Sequence, residues 1–395
     1  MRVVLSAIGT FHTFDMARQL EAAGALGCVF TGYPRFKLRS SGVPQDKIRS
    51  FPWLHGPYMA GWIPNRLKFD WEYWDRRFFD SYVAAALPAQ CDLFCGLSGS
   101  AISTGLAAKR RGLPYVCDRG SSHIRFQDTI LRQEHERWRM PYPGIDPRIV
   151  AREEREYELA DVILVPSQFA LRTFVDSGVP REKLRLAPYG VDTARFSPVA
   201  KPAEDAFDIL FVGGLSLRKG VRYLFDGFEK LTHPRKTLTV AGTVAPEIAS
   251  LVRDFAARSG KLRLLGHVPQ AELKSVMSRA HVLALPSVEE GFGLVQAQAM
   301  ACGCPVIASS NTGAADLFRD GIEGFIVAPQ DADGLCAALQ KLADDPSLRA
   351  RLSAAALQRV AWLGGWNRYG QVVLDVFRSL TGRDTSVSPQ AATAS

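Results

Sequence analysis

An α/β fold of two doubly wound domains in series is predicted by two observations. Near-continuous apolar strands recur along the 395 residues, each followed by a Gly-containing loop and a helical stretch. The series then restarts near residue 207. Apolar strands that alternate with helices belong to parallel sheets covered on both faces. A chain of this length also exceeds one ordinary core.

The first series opens with RVVLSA (2–7), broken at Gly9-Thr10. FHTFDMARQLEAAG (11–24) then places Phe14, Ala17, Leu20 and Ala23 on one helical face and stops at Gly24. CDLFCG (91–96), a Gly/Ser loop and a helix to Arg111 repeat the unit, and LPYVCD (113–118) and DVILVPS (161–167) read as further strands. The second series runs FDILFVGG (207–214), KTLTVAG (236–242), LRLLGHV (262–268), HVLALPS (281–287), CPVIASS (304–310) and GFIVAP (324–329). The link lies in 189–205, rich in Pro and small polar residues. The expected domains are therefore 1–195 and 196–363, with a polar tail at 383–395 expected to be disordered.

One segment departs from the alternation. Residues 51–79 hold four of the seven tryptophans, and residues 33–50 before them carry five basic residues and one acid. Two expectations follow: an aromatic-rich insertion packed on the domain, or an acceptor-binding or membrane-surface element.

A hydrophobic content of 47% and a charged content of 22% fit a soluble globular protein. No apolar run approaches the ~20 residues of a membrane span, and the N-terminal stretch lacks the pattern of a signal peptide. Seven scattered cysteines, with no histidine pair at zinc spacing, read as free thiols in a reducing cytoplasm. The net charge is +8, and residues 1–200 hold 27 Lys and Arg against 21 Asp and Glu. That excess suits an anionic substrate or an anionic membrane surface. No zinc-finger, RRM or helix-turn-helix signature points to nucleic acid.

The chemistry concentrates in SVEEGFGLVQAQAMACGCPVI (287–307). HVLALPS ends a strand, and VEEGFG is the loop beyond its carboxyl end, where open α/β sheets bind ligands. A helix is expected from near Leu294 to Gly303, with Pro305 behind it. Its N-terminus suits a phosphate. Gly291 and Gly293 let a ligand approach the backbone, Glu290 can accept from sugar hydroxyls, and Gln298 on the same helix could reach past the phosphate.

This stretch resembles the signature of the family 4 retaining glycosyltransferases, E-x-F-G followed by E-A-M-A-x-G-x-P-V-I. Glu290, Phe292, Gly293, Ala299, Met300, Ala301, Gly303, Pro305, Val306 and Ile307 match it. ILFVGGLSLRKGV (209–221) is similar to the family's phosphate loop, and 154–198, 311–327 and 362–380 resemble its hinge-proximal segment, the stretch after the signature and its final helix. The match covers most of the chain outside 30–90. It implies the GT-B architecture, two Rossmann-like domains facing each other across a cleft. Residues 1–195 would form the acceptor side, joined by a returning C-terminal helix at 364–382, and 196–363 would bind the nucleotide sugar. It implies a retaining, hexosyltransferase-like enzyme moving sugar from a UDP- or GDP-sugar to a glycan or lipid-linked acceptor in cell-surface polysaccharide or glycolipid synthesis. Localisation would be cytoplasmic, with peripheral contact at an anionic inner membrane face.

The resemblance also assigns residues. Glu290 contacts the donor sugar. Gln298 holds the ribose where the family has glutamate; an amide accepts from one hydroxyl and donates to the other, at a loss of roughly 1 kcal/mol of charge assistance. Gly213, Gly214, Arg218 and Lys219 form the phosphate loop, with glycine at 214 where the family has arginine and Arg218 as the substitute charge. Gly291, Phe292, Gly293 and Leu294 complete the donor set. His123, at the end of LPYVCDRGSSH, faces the donor sugar, and Gly9, Thr10 and His12 lie on the acceptor side. Asp316 is a cap or a ligand. Lys219 and Arg218 would stabilise the leaving diphosphate. No Asp-x-Asp is read in the chain to hold a metal, so a metal-independent reaction without cofactor is expected. The departures at Gly214 and Gln298 leave a second reading open, a catalytically impaired nucleotide-sugar-binding protein of the same fold. A phosphorylase or epimerase is a third. A serine hydrolase fails, because GLSGS (96–100) has Ser100 where the nucleophile elbow needs glycine.

Overall fold

A computed structural model gives the structure, described for residues 1–382 other than 65, 66 and 143. The tail expected at 383–395 lies outside the described residues. Thirteen strands are described: β1 Val3–Ala7, β2 Leu26–Thr31, β3 Ile48–Ser50, β4 Leu93–Leu97, β5 Tyr115–Asp118, β6 Val162–Val165, β7 Leu184–Leu186, β8 Phe207–Val212, β9 Lys236–Ala241, β10 Leu262–Gly266, β11 Val282–Leu285, β12 Val306–Ser309 and β13 Gly324–Val327.

They form two sheets. The first has the order β3-β2-β1-β4-β5-β6-β7, the second β10-β9-β8-β11-β12-β13. Every pairing in the second sheet is parallel. In the first, β1 pairs in parallel with β2 and β4, as does β2 with β3 and β6 with β7. Each sheet reverses direction once, at β1/β4 and at β8/β11. Such reversals open a crevice at the carboxyl ends of the strands. The chain is an α/β protein of two doubly wound parts, as the alternating pattern predicts.

Local sequence explains the joints. The helix Thr13–Ala22 ends because Gly24 takes φ +66°, and the Gly24 N–H reaches the Glu21 carbonyl at 2.9 Å. The helix Gln168–Asp176 starts at Ser167, whose hydroxyl accepts from the Ala170 N–H at 3.0 Å. Asp345 caps the helix Pro346–Leu363 in the same way. A large apolar cluster packs on the second sheet, with the Phe225 and Phe255 rings stacked at 3.8 Å.

The chain divides into two compact units. One comprises Met1–Cys117, Glu158–Val162 and Gly370–Ser395; the other comprises Asp118–Tyr157 and Ile163–Tyr369. This division differs from a single boundary at 195/196, and the reason lies in contacts internal to the second unit. The Ser167 hydroxyl donates to the Gly291 carbonyl at 2.6 Å, and the Tyr223 hydroxyl donates to Glu134 at 3.0 Å. Gly190 lies so close to the Gly365 backbone that a Cβ would meet its carbonyl carbon at 2.2 Å. Residues 118–157 and 163–195 are thereby tied to the second sheet's elements.

In the first unit the Trp-rich segment forms the helices His55–Met59 and Lys68–Ala85. Its inner side packs: the Trp71 indole donates to the Leu54 carbonyl at 3.0 Å, and Phe51 stacks on Tyr82 at 4.5 Å. Its outer side does not, since Trp53 and Trp62 are each 76% exposed and Phe36 is 64% exposed. All seven cysteines are free, six of them buried. Among the described residues no helix is long and apolar enough to cross a membrane.

Candidate functional site: the loops beyond β8 and β11

The second sheet's switch point carries two glycine-rich loops. The loop after β8 runs from Gly213 to Gly220, and the loop after β11 from Pro286 to Gly293. They are laced together by backbone: the Val288 N–H donates to the Arg218 carbonyl at 2.9 Å. Gly220, at φ +72°, cannot be replaced, because a Cβ would stand 1.9 Å from the Pro286 carbonyl oxygen. Gly293, at φ +77°, turns the chain into the helix Leu294–Ala301. The first turn of that helix has N–H groups without intrahelical acceptors, aimed out of the sheet's carboxyl edge.

Two consecutive cations meet two consecutive carboxylates across these loops. Lys219 forms an ion pair with Glu290. Arg218 Nε donates to Glu289 at 2.7 Å. Burial, then the neighbouring Arg218 guanidinium, push the Lys219 ammonium down to about 7, while Glu289 works to keep it charged. Glu289 is fully buried. Burial alone would raise its pKa, but Arg218 and the Ser121 and Ser122 hydrogen bonds outweigh that and lower it to about 2.

The loop after β5 completes the arrangement. A Cβ on Gly291 would lie 2.2 Å from the Gly120 carbonyl oxygen, so only glycine permits this approach. The Ser121 and Ser122 hydroxyls each donate to Glu289 at 2.7 Å. His123 follows as the N-cap of the helix Ile124–Arg137, where its Nδ1 accepts from the Arg125 N–H at 3.3 Å. The ring proton is thereby assigned to Nε2. Burial and the nearby Arg119 lower its pKa to about 4, so the ring is neutral.

The predicted donor residues divide into groups. Glu290, Lys219, Arg218, Gly213, Gly214, Gly291, Gly293 and Leu294 belong to these two loops and the helix they feed. Gln298 lies one turn further along that helix, half-buried. Phe292 is buried and its ring packs on Tyr189 at 5.2 Å, so its side chain belongs to the core. Gly214 is open: a Cβ there would meet only Thr243 Oγ1, at 3.7 Å. Asp316 resolves to a cap, accepting from the Gln168 N–H at 3.0 Å. Gly9, Thr10 and His12 follow β1 in the other unit, with His12 buried at the start of its helix. One Asp-x-Asp does occur, at Asp331 and Asp333. Asp331 caps the helix Ala332–Asp344 through the Gly334 N–H at 2.8 Å, and Asp333 pairs with Lys230 at 2.5 Å. Asp331 is committed to the helix cap, whereas the Asp333–Lys230 pair lies at the surface.

Sequence reasoning missed Glu289, Ser121, Ser122 and Gln127. The adjacent pair Glu289-Glu290 was the available signal, since two carboxylates beside Arg218-Lys219 call for two partners.

A family model described as Glycosyltransferase Family 4 matches residues 9–195, and one described as Glycosyl transferases group 1 matches residues 192–359. A D-inositol 3-phosphate glycosyltransferase from Stackebrandtia nassauensis is 30% identical over 320 residues, 76% of this chain and 70% of the relative. The chain belongs to glycosyltransferase family 4. A glycogen synthase from Mycobacterium tuberculosis is 34% identical over 194 residues, 48% of this chain. The chain spans about half the length of that relative, 46%. Among solved structures, HepE from Anabaena in complex with UDP-glucose aligns with a TM-score of 0.70 at 18% identity, covering 96% of this chain and all of that one. The fold is thus the two-domain GT-B fold of these glycosyltransferases, and the loops beyond β8 and β11 are where this family 4 chain carries its signature.

Proposed function

We propose that the protein is a retaining glycosyltransferase that takes a sugar from a nucleoside diphosphate sugar, UDP- or GDP-linked, and passes it to a glycan or lipid-linked acceptor in cell-surface polysaccharide or glycolipid synthesis. The Lys219–Glu290 pair at the switch point carries this reading. A diphosphate is the natural partner for Lys219 and Arg218, and the hydroxyls of the transferred sugar for Glu290. Donor binding exchanges the internal ion pair for these two contacts. As the bond between sugar and diphosphate breaks, negative charge grows on the departing phosphate, and the two cations stabilise it without reorganising. His123 donates from Nε2 toward the donor sugar. The acceptor attacks from the face the diphosphate leaves, and a phosphate oxygen takes its proton. Gln298 holds the ribose hydroxyls. No cofactor or metal is assigned a step.

UDP supports the reading as the first base to test, because HepE, of the same fold, is seen with UDP-glucose. The exposed Trp53, Trp62 and Phe36 and the exposed Arg35, Lys37 and Arg39 support contact with an anionic membrane surface, where aromatic rings and cations are both favoured.

Gly214 and Gln298 favour one alternative, a binding protein that holds a nucleotide sugar without turning it over. Incubation with UDP-glucose and GDP-mannose, with and without a bacterial lipid extract, separates the two. Glycosylated product with the anomeric configuration of the donor supports the transferase; tight binding with no product over all acceptors supports the alternative.

A further inference from the structure

We propose that Glu289 is a positioning residue that aims Arg218 at the donor diphosphate, so that Arg218 replaces the arginine missing at 214. The inference rests on the donor-site reading above and names a member of that site outside the predicted set.

The geometry is unusual for an exposed loop cation. Arg218 is held side-on: Nε donates to Glu289 Oε2 at 2.7 Å and Nη2 to Ser121 Oγ at 3.3 Å. Its carbonyl is fixed by the Val288 N–H at 2.9 Å. The side chain is nevertheless 36% exposed, whereas that of Glu289 is at 0%. One edge of the guanidinium is therefore locked against a buried carboxylate, while part of the side chain stays open to solvent. A guanidinium binds phosphate through its planar edge, so fixing one edge sets the direction of the other.

Glu289 is itself immobilised. Oε1 accepts from Ser121 Oγ at 2.7 Å, Ser122 Oγ at 2.7 Å and the Ser122 N–H at 3.3 Å. Oε2 accepts from Gln127 Nε2 at 2.9 Å as well as from Arg218. A buried carboxylate with this many donors has no capacity left for a ligand. Its own role is thereby limited to holding Arg218 and the Ser121-Ser122 turn. Gly214 supplies the independent observation. Nothing but Thr243 Oγ1 comes within 4 Å of a Cβ built there, at 3.7 Å, so the backbone position has room for a side chain.

The test is a calorimetric comparison of five variants against UDP, GDP, ADP, inorganic pyrophosphate and uridine. In the wild-type background, Glu289→Gln should weaken the bound diphosphate by about 10- to 100-fold, the range for losing a charge-assisted contact, and leave uridine unchanged. In an Arg218→Met background, Glu289→Gln should add nothing. Gly214→Arg should recover most of the loss caused by Glu289→Gln. Glu289→Asp serves as the conservative variant, and melting curves confirm that each protein is folded. Equal weakening of uridine and UDP, or a Glu289→Gln loss of the same size with and without Arg218, would make Glu289 merely structural and overturn the proposal. Unchanged diphosphate binding in Glu289→Gln would also overturn it, while leaving the donor site standing. A folded wild-type protein that binds none of the diphosphates overturns the donor-site reading and this inference with it.

Discussion

Lys219 of the loop after β8 is ion-paired with Glu290 of the loop after β11, so the two loops are joined by their side chains. This pair has consequences for activity that neither residue has alone. Glu290→Ala removes the proposed hydroxyl contact, and steady-state transfer should fall by about 100-fold or more. Lys219→Ala should do the same through the diphosphate. The double variant should be little worse than either single one, since the two act as a unit. Full additivity of the two losses would argue against the pairing.

The pH dependence of donor binding follows from Lys219. With its ammonium pushed down to about 7, the unliganded protein holds the charged, diphosphate-binding form below that pH and loses it above. Diphosphate affinity should therefore fall as pH rises beyond about 7, approaching tenfold per unit where Lys219 is mostly neutral. Lys219→Arg should flatten the profile, because arginine stays charged. A wild-type profile that is flat between pH 6 and 9 would contradict this assignment.

Acid stability should report His123. Its folded pKa is lowered to about 4 from the ordinary 6.5, so the unfolded chain takes up a proton that the folded chain refuses. The stability contributed by the neutral ring is complete above 6.5 and is lost as pH falls through about 4. Urea titrations of His123→Gln should show a shallower decline across that window than the wild type. Parallel declines would mean that the ring titrates normally.

Gln298→Glu tests the ribose contact. Restoring a carboxylate should tighten donor binding by about fivefold, the equivalent of roughly 1 kcal/mol of charge assistance, with kcat unchanged. A change in kcat at constant KM would place Gln298 nearer the reacting centre than the helix Leu294–Ala301 suggests.

The aromatic segment gives a prediction independent of chemistry. Trp53 and Trp62 stand exposed, so their fluorescence should shift to the blue on anionic phosphatidylglycerol vesicles and not on neutral phosphatidylcholine ones. Replacing Arg35, Lys37 and Arg39 by serine should abolish the shift. Unchanged spectra on both vesicle types would remove the membrane from the account.

The second sheet was legible because its strands are nearly continuous apolar runs, and all six appear where the runs stand. Three strands of the first sheet were not. β3 and β7 are only three residues each, too short for periodicity to show. β2 begins LGC, and its Gly27 reads as a break; in the fold that glycine lies against β1, where a Cβ would meet the Val3 carbonyl oxygen at 3.0 Å. At the site, Glu290 and Lys219 could be singled out from the resemblance of their loops to the family's motifs. Glu289 could not, because its role depends on Ser121, Ser122 and Gln127, which only the fold brings to it. The Phe292 ring sits inside a binding signature yet packs in the core, and in Asp331-Ala332-Asp333, which has the letters of a metal motif, Asp331 is a helix cap and Asp333 a surface ion-pair partner.

The central claim is that Lys219 and Glu290 mark a site for a nucleoside diphosphate. Calorimetric titration of the protein in EDTA with UDP, GDP, ADP and CDP, repeated on Lys219→Ala, tests it most directly. The account predicts that one diphosphate binds and that Lys219→Ala weakens it roughly tenfold or more. Failure of all four to bind a folded wild-type protein, or binding that Lys219→Ala leaves intact, would contradict it.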